Sequence, residues 1–223
     1  MNEALFGTRL GIFETFKTKR QELTGEALRQ RAILVSLATQ NNPAQRTRTS
    51  IAQKIAQENG TVWKNIYSGI FRDLDEILIP LGIVEEEGRL PLKRGPKALQ
   101  EKGIPYYQLT NRGHLVTLAL DEIIGREEIL KVFFAQYNDV DKEFQEQIET
   151  LVKFASRFVY SLFRSYVKAY CDGRIEDLLP LDKARFMQVS DETILIQKEF
   201  LESFIVMSKS EKEKALGFLK SIS

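Results

Sequence analysis

Seven basic side chains, Arg29, Arg31, Arg46, Arg48, Lys54, Lys64 and Arg72, stand against a single acid, Glu58, over residues 29–72. Six more, Arg89, Lys93, Arg94, Lys97, Lys102 and Arg112, stand against Glu101 over residues 89–112. Cations gathered in this way neutralise polyanions, and the phosphate backbone of a nucleic acid is the polyanion whose dense, regular charge rewards them most. A solvated charged face is the commoner meaning of a charge run, so the windows alone leave both readings open. Acids at Asp73, Asp75, Glu76 and Glu85 to Glu87 separate the two windows, which predicts a surface with its cations on one side only. Across all 223 residues the net charge is only +1, so the asymmetry is local.

Other chemistry is sparse. One cysteine, Cys171, and one histidine, His114, exclude a disulfide, a Cys-Cys zinc clip and any multi-histidine metal site. As a nucleophile and its base the two make a weak case, since both are more simply helix residues. Glu85, Glu86 and Glu87 supply carboxylates, yet alternate strand residues face opposite sides, so only Glu85 and Glu87 would share one. No phosphate-cradling glycine motif is present. We therefore expect no metal, no cofactor and no enzymatic activity. At 43% hydrophobic and 28% charged the composition is that of a folded globular protein. The start of the chain has no signal-peptide pattern and no segment reaches the roughly 20 apolar residues of a membrane span, so a cytoplasmic location is expected.

The elements that must position the cations follow from periodicity. A weak amphipathic pattern (Leu5, Phe6, Ile12, Phe13, Phe16) predicts an N-terminal helix within residues 1–28. A buried helix is expected over Ala27 to Gln40, stopped by Asn41-Asn42-Pro43. Ser50-Ile51-Ala52-Gln53 reads as a capping box that opens a short helix ending near Glu58. Asn59-Gly60 makes a tight turn, and Thr61 caps a long helix with Val62, Ile66, Ile70, Leu74 and Leu78 on one face and Lys64, Asn65, Ser68 and Arg72 on the other. Pro80 and Gly82 end it. Strands are expected over Ile83 to Arg89 and Ile104 to Thr110, joined by a basic loop with a Gly95-Pro96 turn. Thr110 then caps a helix bearing Leu115, Leu118, Ala119 and Ile123.

Helix, helix, tight turn, helix, strand, basic loop, strand, helix is the layout of a winged helix-turn-helix. The residues resemble that superfamily as well. Thr49-Ser50-Ile51-Ala52-Gln53-Lys54-Ile55-Ala56 resembles its second helix, and Thr61-Val62-Trp63-Lys64-Asn65-Ile66 the start of its reading helix. Leu81-Gly82-Ile83-Val84 is similar to the turn into the wing. Tyr106-Tyr107-Gln108-Leu109-Thr110-Asn111-Arg112-Gly113 is similar to the motif that closes the wing in PadR-like and MarR-like transcriptional regulators. The resemblance covers about residues 27–125 and implies double-stranded DNA binding with the Thr61 helix in the major groove. Lys64, Asn65 and Ser68 would then face base edges, with Asn65 suited to adenine, while Arg72 would meet phosphate. Trp63 would stack on sugar or base, or else pack between helices. Lys93, Arg94 and Lys97 in the wing would reach the minor groove or flanking phosphates, and Arg46 and Arg48 would clamp the backbone. Lys102 and Arg112 are weaker candidates, Arg112 being placed to pair with a nearby acid.

The expected fold class is mainly α. It comprises an N-terminal helical extension (residues 1–26), the winged helix-turn-helix (27–125) and a helical region (126–223) that dimerises or receives a signal. Apolar residues recur from Asp141 to Asp172 in two rows, Ile148-Leu151-Ala155-Phe158-Leu162 and Val152-Val159-Phe163-Val167. This predicts a helix of about 30 residues, roughly 45 Å long, with Gly173 as its natural stop. Such a helix packs against a symmetry mate, inside an intrachain bundle, or both, and we expect a homodimer with Ile148, Leu151, Val152, Ala155, Phe158, Val159, Leu162 and Phe163 at its interface. Further helices are expected over Thr193 to Met207 and Ser210 to Ile222, the latter opened by a Ser210-x-x-Glu213 capping box. Nothing in the sequence indicates a small-molecule effector. The functional expectation is a sequence-specific DNA-binding transcriptional regulator. The alternative is an adaptor that uses the same fold for protein contacts in a larger complex.

Overall fold

Large apolar side chains, among them Ile33, Leu34, Ile51, Ile55, Ile70 and Leu74, are 0–2% exposed, and the first elements are arranged around them. The structure, a computed structural model, describes residues 9–19, 22–60, 62–91, 103–189 and 192–222. It is mainly helical, with one small antiparallel sheet. Its contacts fall into two compact units, residues 1–183 and 184–223. The first unit takes in residues beyond 125, where the sequence places a boundary, because the helix at Asn111–Leu118 packs on those at Arg126–Gln136 and Lys142–Cys171.

Helix α1 spans Gly25–Thr39, where Thr24 Oγ1 accepts from Ala27 N at 3.1 Å. Residues 9–19 and 22–24 before it are not helical, contrary to expectation. Leu10 and Ile12 are instead drawn into the core, held where Gly11 N donates to Gln30 Oε1 (2.9 Å) and Arg31 Nη1 donates to Ile12 O (3.2 Å). Burial and these two bonds override a weak helical pattern. Helix α2 spans Arg48–Glu58. Its cap is Thr47, whose Oγ1 accepts from Ser50 N at 3.3 Å, so the helix opens earlier than the Ser50 capping box predicts. Ser50 lies within the first turn and donates to Ala44 O (2.7 Å).

Helix α3 spans Trp63–Arg72 and widens into a π-turn over Asp73–Leu78, with Ile79 N donating to Leu74 O five residues back (2.9 Å). Ile70, Leu74 and Leu78 are fully buried, whereas Val62 at the first turn is 60% exposed. Val62 holds the cap position without a side-chain bond; Thr61, the expected cap, lies outside the described residues. Strands β1 (Val84–Leu90) and β2 (Ile104–Leu109) pair antiparallel, with a register shift between Glu86 and Gly88. That bulge falls at Glu87 and breaks the simple alternation that would have put Glu85 and Glu87 on one face. The segment before α2 adds a one-residue third strand: Thr47 bridges Tyr106, and Tyr107 N donates to Arg46 O at 3.1 Å.

Helix α4 spans Asn111–Leu118, and Thr110 caps it as expected, accepting from Gly113 N at 3.2 Å. Gly113 is the residue this joint demands, since a Cβ there would lie 2.2 Å from Ile83 O. Helix α5 spans Arg126–Gln136. Helix α6 spans Lys142–Cys171, but Ala155 has non-helical φ/ψ (−142°, 52°), so the predicted straight rod is two arms. It closes at Gly173 (φ 71°), with Arg174 N bonded to Ala169 O at 2.8 Å, the left-handed cap that the sequence suggests.

In the second unit, α7 (Lys183–Val189) leads to α8 (Glu192–Val206) and α9 (Lys209–Ile222). The capping box before α9 is Ser208 with Glu211 rather than Ser210 with Glu213: Ser208 N donates to Glu211 Oε2 (2.8 Å) and Glu211 N to Ser208 Oγ (3.4 Å). Among the described residues no helix is long and apolar enough to cross a membrane.

Candidate nucleic-acid interface

The turn between α2 and α3 and the buried stripe Ile70-Leu74-Leu78 fix which side of α3 faces out. Lys64, Ser68 and Arg72, four residues apart, share the opposite face and are exposed. The side chains of Trp63 and Asn65, and the whole of Lys93, Arg94, Lys97 and Lys102, lie outside the described residues.

Most of the arginines in the first basic window are engaged elsewhere. Arg29 Nε bonds Asp73 Oδ2 at 2.9 Å, and that aspartate is fully buried. Arg31 grips Glu122 with two bonds of 2.6 Å. Arg46 pairs with Glu87, lies 5.5 Å from the Tyr106 ring centre and donates to Tyr107 O at 3.4 Å, leaving its side chain 12% exposed. Arg48 pairs with Asp75 and is sandwiched between Phe71 (4.5 Å) and Tyr107 (5.1 Å). Arg72 reaches Glu26 at 3.2 Å and Asp73 at 3.6 Å. Of the seven basic residues between positions 29 and 72, only Lys54 and Lys64 lack an ion pair among the described residues. In the second window Arg89 pairs with Glu86 and Arg112 with Asp177, the latter as its corner position suggested.

Acids set apart in sequence are thus interleaved with the cations in space. Asp73, Asp75 and Glu87 come from the stretch read as a divider, so the expectation of a one-sided cationic surface fails around α2 and α3. Arg46 and Arg48 are fastened to the β1–β2 hairpin and to α3, which stitches these elements together. No local signal could reveal this, because their acid partners, Glu87 and Asp75, lie 27 or more residues away in sequence. The one weak pointer was the stacking capacity of Tyr106, Tyr107 and Phe71 beside arginines.

A second feature of the first unit is a cleft of about 750 Å³ among α1, β2, α4 and α5, lined by Thr39, Gln40, Gln108, Asn111, His114 and Gln136. Burial lowers the His114 pKa below its ordinary 6.5, and its buried Nδ1 has no hydrogen-bond partner among the described residues. Cys171 lines a different, smaller cavity beside Arg9, and burial pushes its thiol up to about 12. The histidine and cysteine therefore do not come together as a dyad. No group of three or more metal-ligating side chains occurs among the described residues.

The expected interface residues of α6 divide by row. Val152, Val159, Phe163 and Val167 are all buried within the chain, as is Ile148. Leu151 is 42% exposed, and Ala155, Phe158 and Leu162 are half-buried. No family model, curated protein or solved structure matches the chain.

Proposed function

We propose that residues 27–125 form a winged helix-turn-helix that binds double-stranded DNA, with α3 in the major groove and the β1–β2 hairpin as the wing, in a homodimeric transcriptional regulator. The observation that carries the reading is Lys64. It stands exposed on the outer face of α3 beside Ser68, without an ion pair among the described residues, while the neighbouring arginines are paired. An unpaired cation on the outward face of the second helix of a helix-turn-helix has no structural duty, and it stands where base edges are read. The third strand made by Thr47 and Tyr106 supports the same reading, since it ties the hairpin to the start of α2 and holds wing and helix as one body.

The pairing of Arg29, Arg31, Arg46, Arg48 and Arg72 favours a second reading, the protein–protein adaptor, because it removes cations from the surface phosphate would meet. Fluorescence anisotropy with a labelled duplex separates the two. DNA binding predicts log Kd rising linearly with log salt, about 0.9 per phosphate contact, between roughly 50 and 200 mM salt. Absence of binding at the lowest salt would leave the adaptor reading standing.

A further inference from the structure

Helix α8 is built like a helix that belongs in an interior. Leu195, Ile196, Phe200, Leu201, Ile205 and Val206 are distributed round its whole circumference at 100° per residue, and none of its residues is buried. Leu195 is 64% exposed, Ile205 73% and Val206 83%. Helix α9 adds Phe218 at 63%. The two helices do not pack along each other. They meet at their junction, where Lys212 Nζ donates to Ile205 O (3.2 Å) and lies 5.7 Å from the Phe204 ring centre. A helix apolar on every side is normally surrounded by protein, and soluble monomers rarely leave such a surface wet.

Charge says what covers it. Helix α8 carries Glu192, Glu199 and Glu202 against Lys198, a net −2, while α9 carries Lys209, Lys212, Lys214 and Lys220 against Glu211 and Glu213, a net +2. Two copies related by a two-fold axis would lay α8 of each on α9 of the other, opposite charge on opposite charge, with the apolar residues inside. Such a self-complementary surface is what an isologous interface requires. Nine large apolar side chains of α8 and α9 are exposed. At about 100 Å² apiece they offer about 900 Å², close to the roughly 800 Å² per partner of a standard interface.

We infer that residues 192–222 are the dimerisation element, and that their occupant is the same segment of a second copy in a four-helix assembly. This deepens the homodimer of the proposed function by moving its interface from α6 to α8 and α9. Oligomeric state is read by sedimentation and DNA binding by anisotropy, so failure of one reading is distinguishable from failure of the other.

The test uses the full chain. Analytical ultracentrifugation at about 20 μM should give a dimer; a monomer overturns the inference. Leu201→Glu with Ile205→Glu should weaken association at least tenfold while the far-UV spectrum and unfolding midpoint of the first unit are kept; an unchanged dimer overturns it. The decisive arm reverses charge. A chain with Glu199→Lys and Glu202→Lys has both helices basic, and a chain with Lys214→Glu and Lys220→Glu has both acidic, so each alone should be monomeric. Mixed one to one they should form a heterodimer, which closure of α8 on α9 within one chain cannot produce. Two monomers remaining in the mixture overturn the inference. So does a wild-type chain that sediments as a monomer yet floats with phosphatidylcholine–phosphatidylglycerol vesicles, which would assign the face to lipid.

Discussion

Lys64 and Arg48 share a charge but not a task. Lys64 is exposed and has no ion pair among the described residues, so Lys64→Ala should leave stability unchanged and cost about 1 to 3 kcal/mol at a preferred DNA site, with relaxed discrimination between sites. Equal losses at preferred and random duplexes would remove it from base readout. Arg29 sits at the other extreme. Replacing it with Met leaves the fully buried Asp73 with Arg72, 3.6 Å away, as its remaining cationic partner. Breaking a pair around a buried charge is expensive. Urea unfolding should show a loss of about 3 kcal/mol, against about 0.5 kcal/mol or less for Arg89→Ala, whose i,i+3 pair with Glu86 is exposed.

His114 gives the residue scale its pH dependence. Because burial depresses its folded-state pKa, the native state holds fewer protons than the unfolded one below pH 6.5. Stability is therefore complete above that value and is lost as pH falls through the window beneath it. The chain has one histidine, so replacing it assigns any transition in this window. Urea midpoints at pH 7.5 and pH 5.5 should differ in the wild type, and His114→Gln should shrink the difference. An undiminished difference would place the titration elsewhere.

At the scale of elements, helix and strand positions were legible because they rest on local signals. Thr110 caps α4, Gly173 closes α6, and the α3 stripe is buried from Ile70 onward, all as the spacing predicts. Caps went astray where several candidates were adjacent. Ser50 and Ser210 both satisfy the capping-box pattern, yet Thr47 and Ser208 hold the position, since the pattern cannot say which hydroxyl precedes the first helical φ/ψ. The kink at Ala155 has no proline or glycine at its centre to announce it. The candidate site was legible in part: sequence placed Lys64 and Ser68 on the outer face of α3, but the diversion of Arg46, Arg48 and Arg72 depends on tertiary pairing and was not. The joint between the β1–β2 hairpin and α4 is testable through Gly113→Ala. Its new methyl would press on the Ile83 carbonyl, and overpacking of this kind costs about 1 to 3 kcal/mol. An unchanged melting temperature would show that the joint yields freely.

For the whole molecule, the two units should be separable. Among the described residues every buried apolar residue except Val189 lies at or before Leu181, so a chain ending at residue 183 keeps its core. It should unfold cooperatively at a midpoint within a few degrees of the full chain in buffers where both are monomeric. Loss of cooperativity would mean that the second unit completes the first. The N-terminal strap has a consequence for synthesis. Arg9 donates to the carbonyl of Cys171, 162 residues away, and Leu10 is buried beside that contact. On a ribosome adding about 5 to 20 residues per second, roughly 8 to 30 seconds separate the two ends of this closure. Throughout that interval Leu10 has no finished seat, and the nascent chain offers a chaperone an apolar handle until the last turn of α6 emerges.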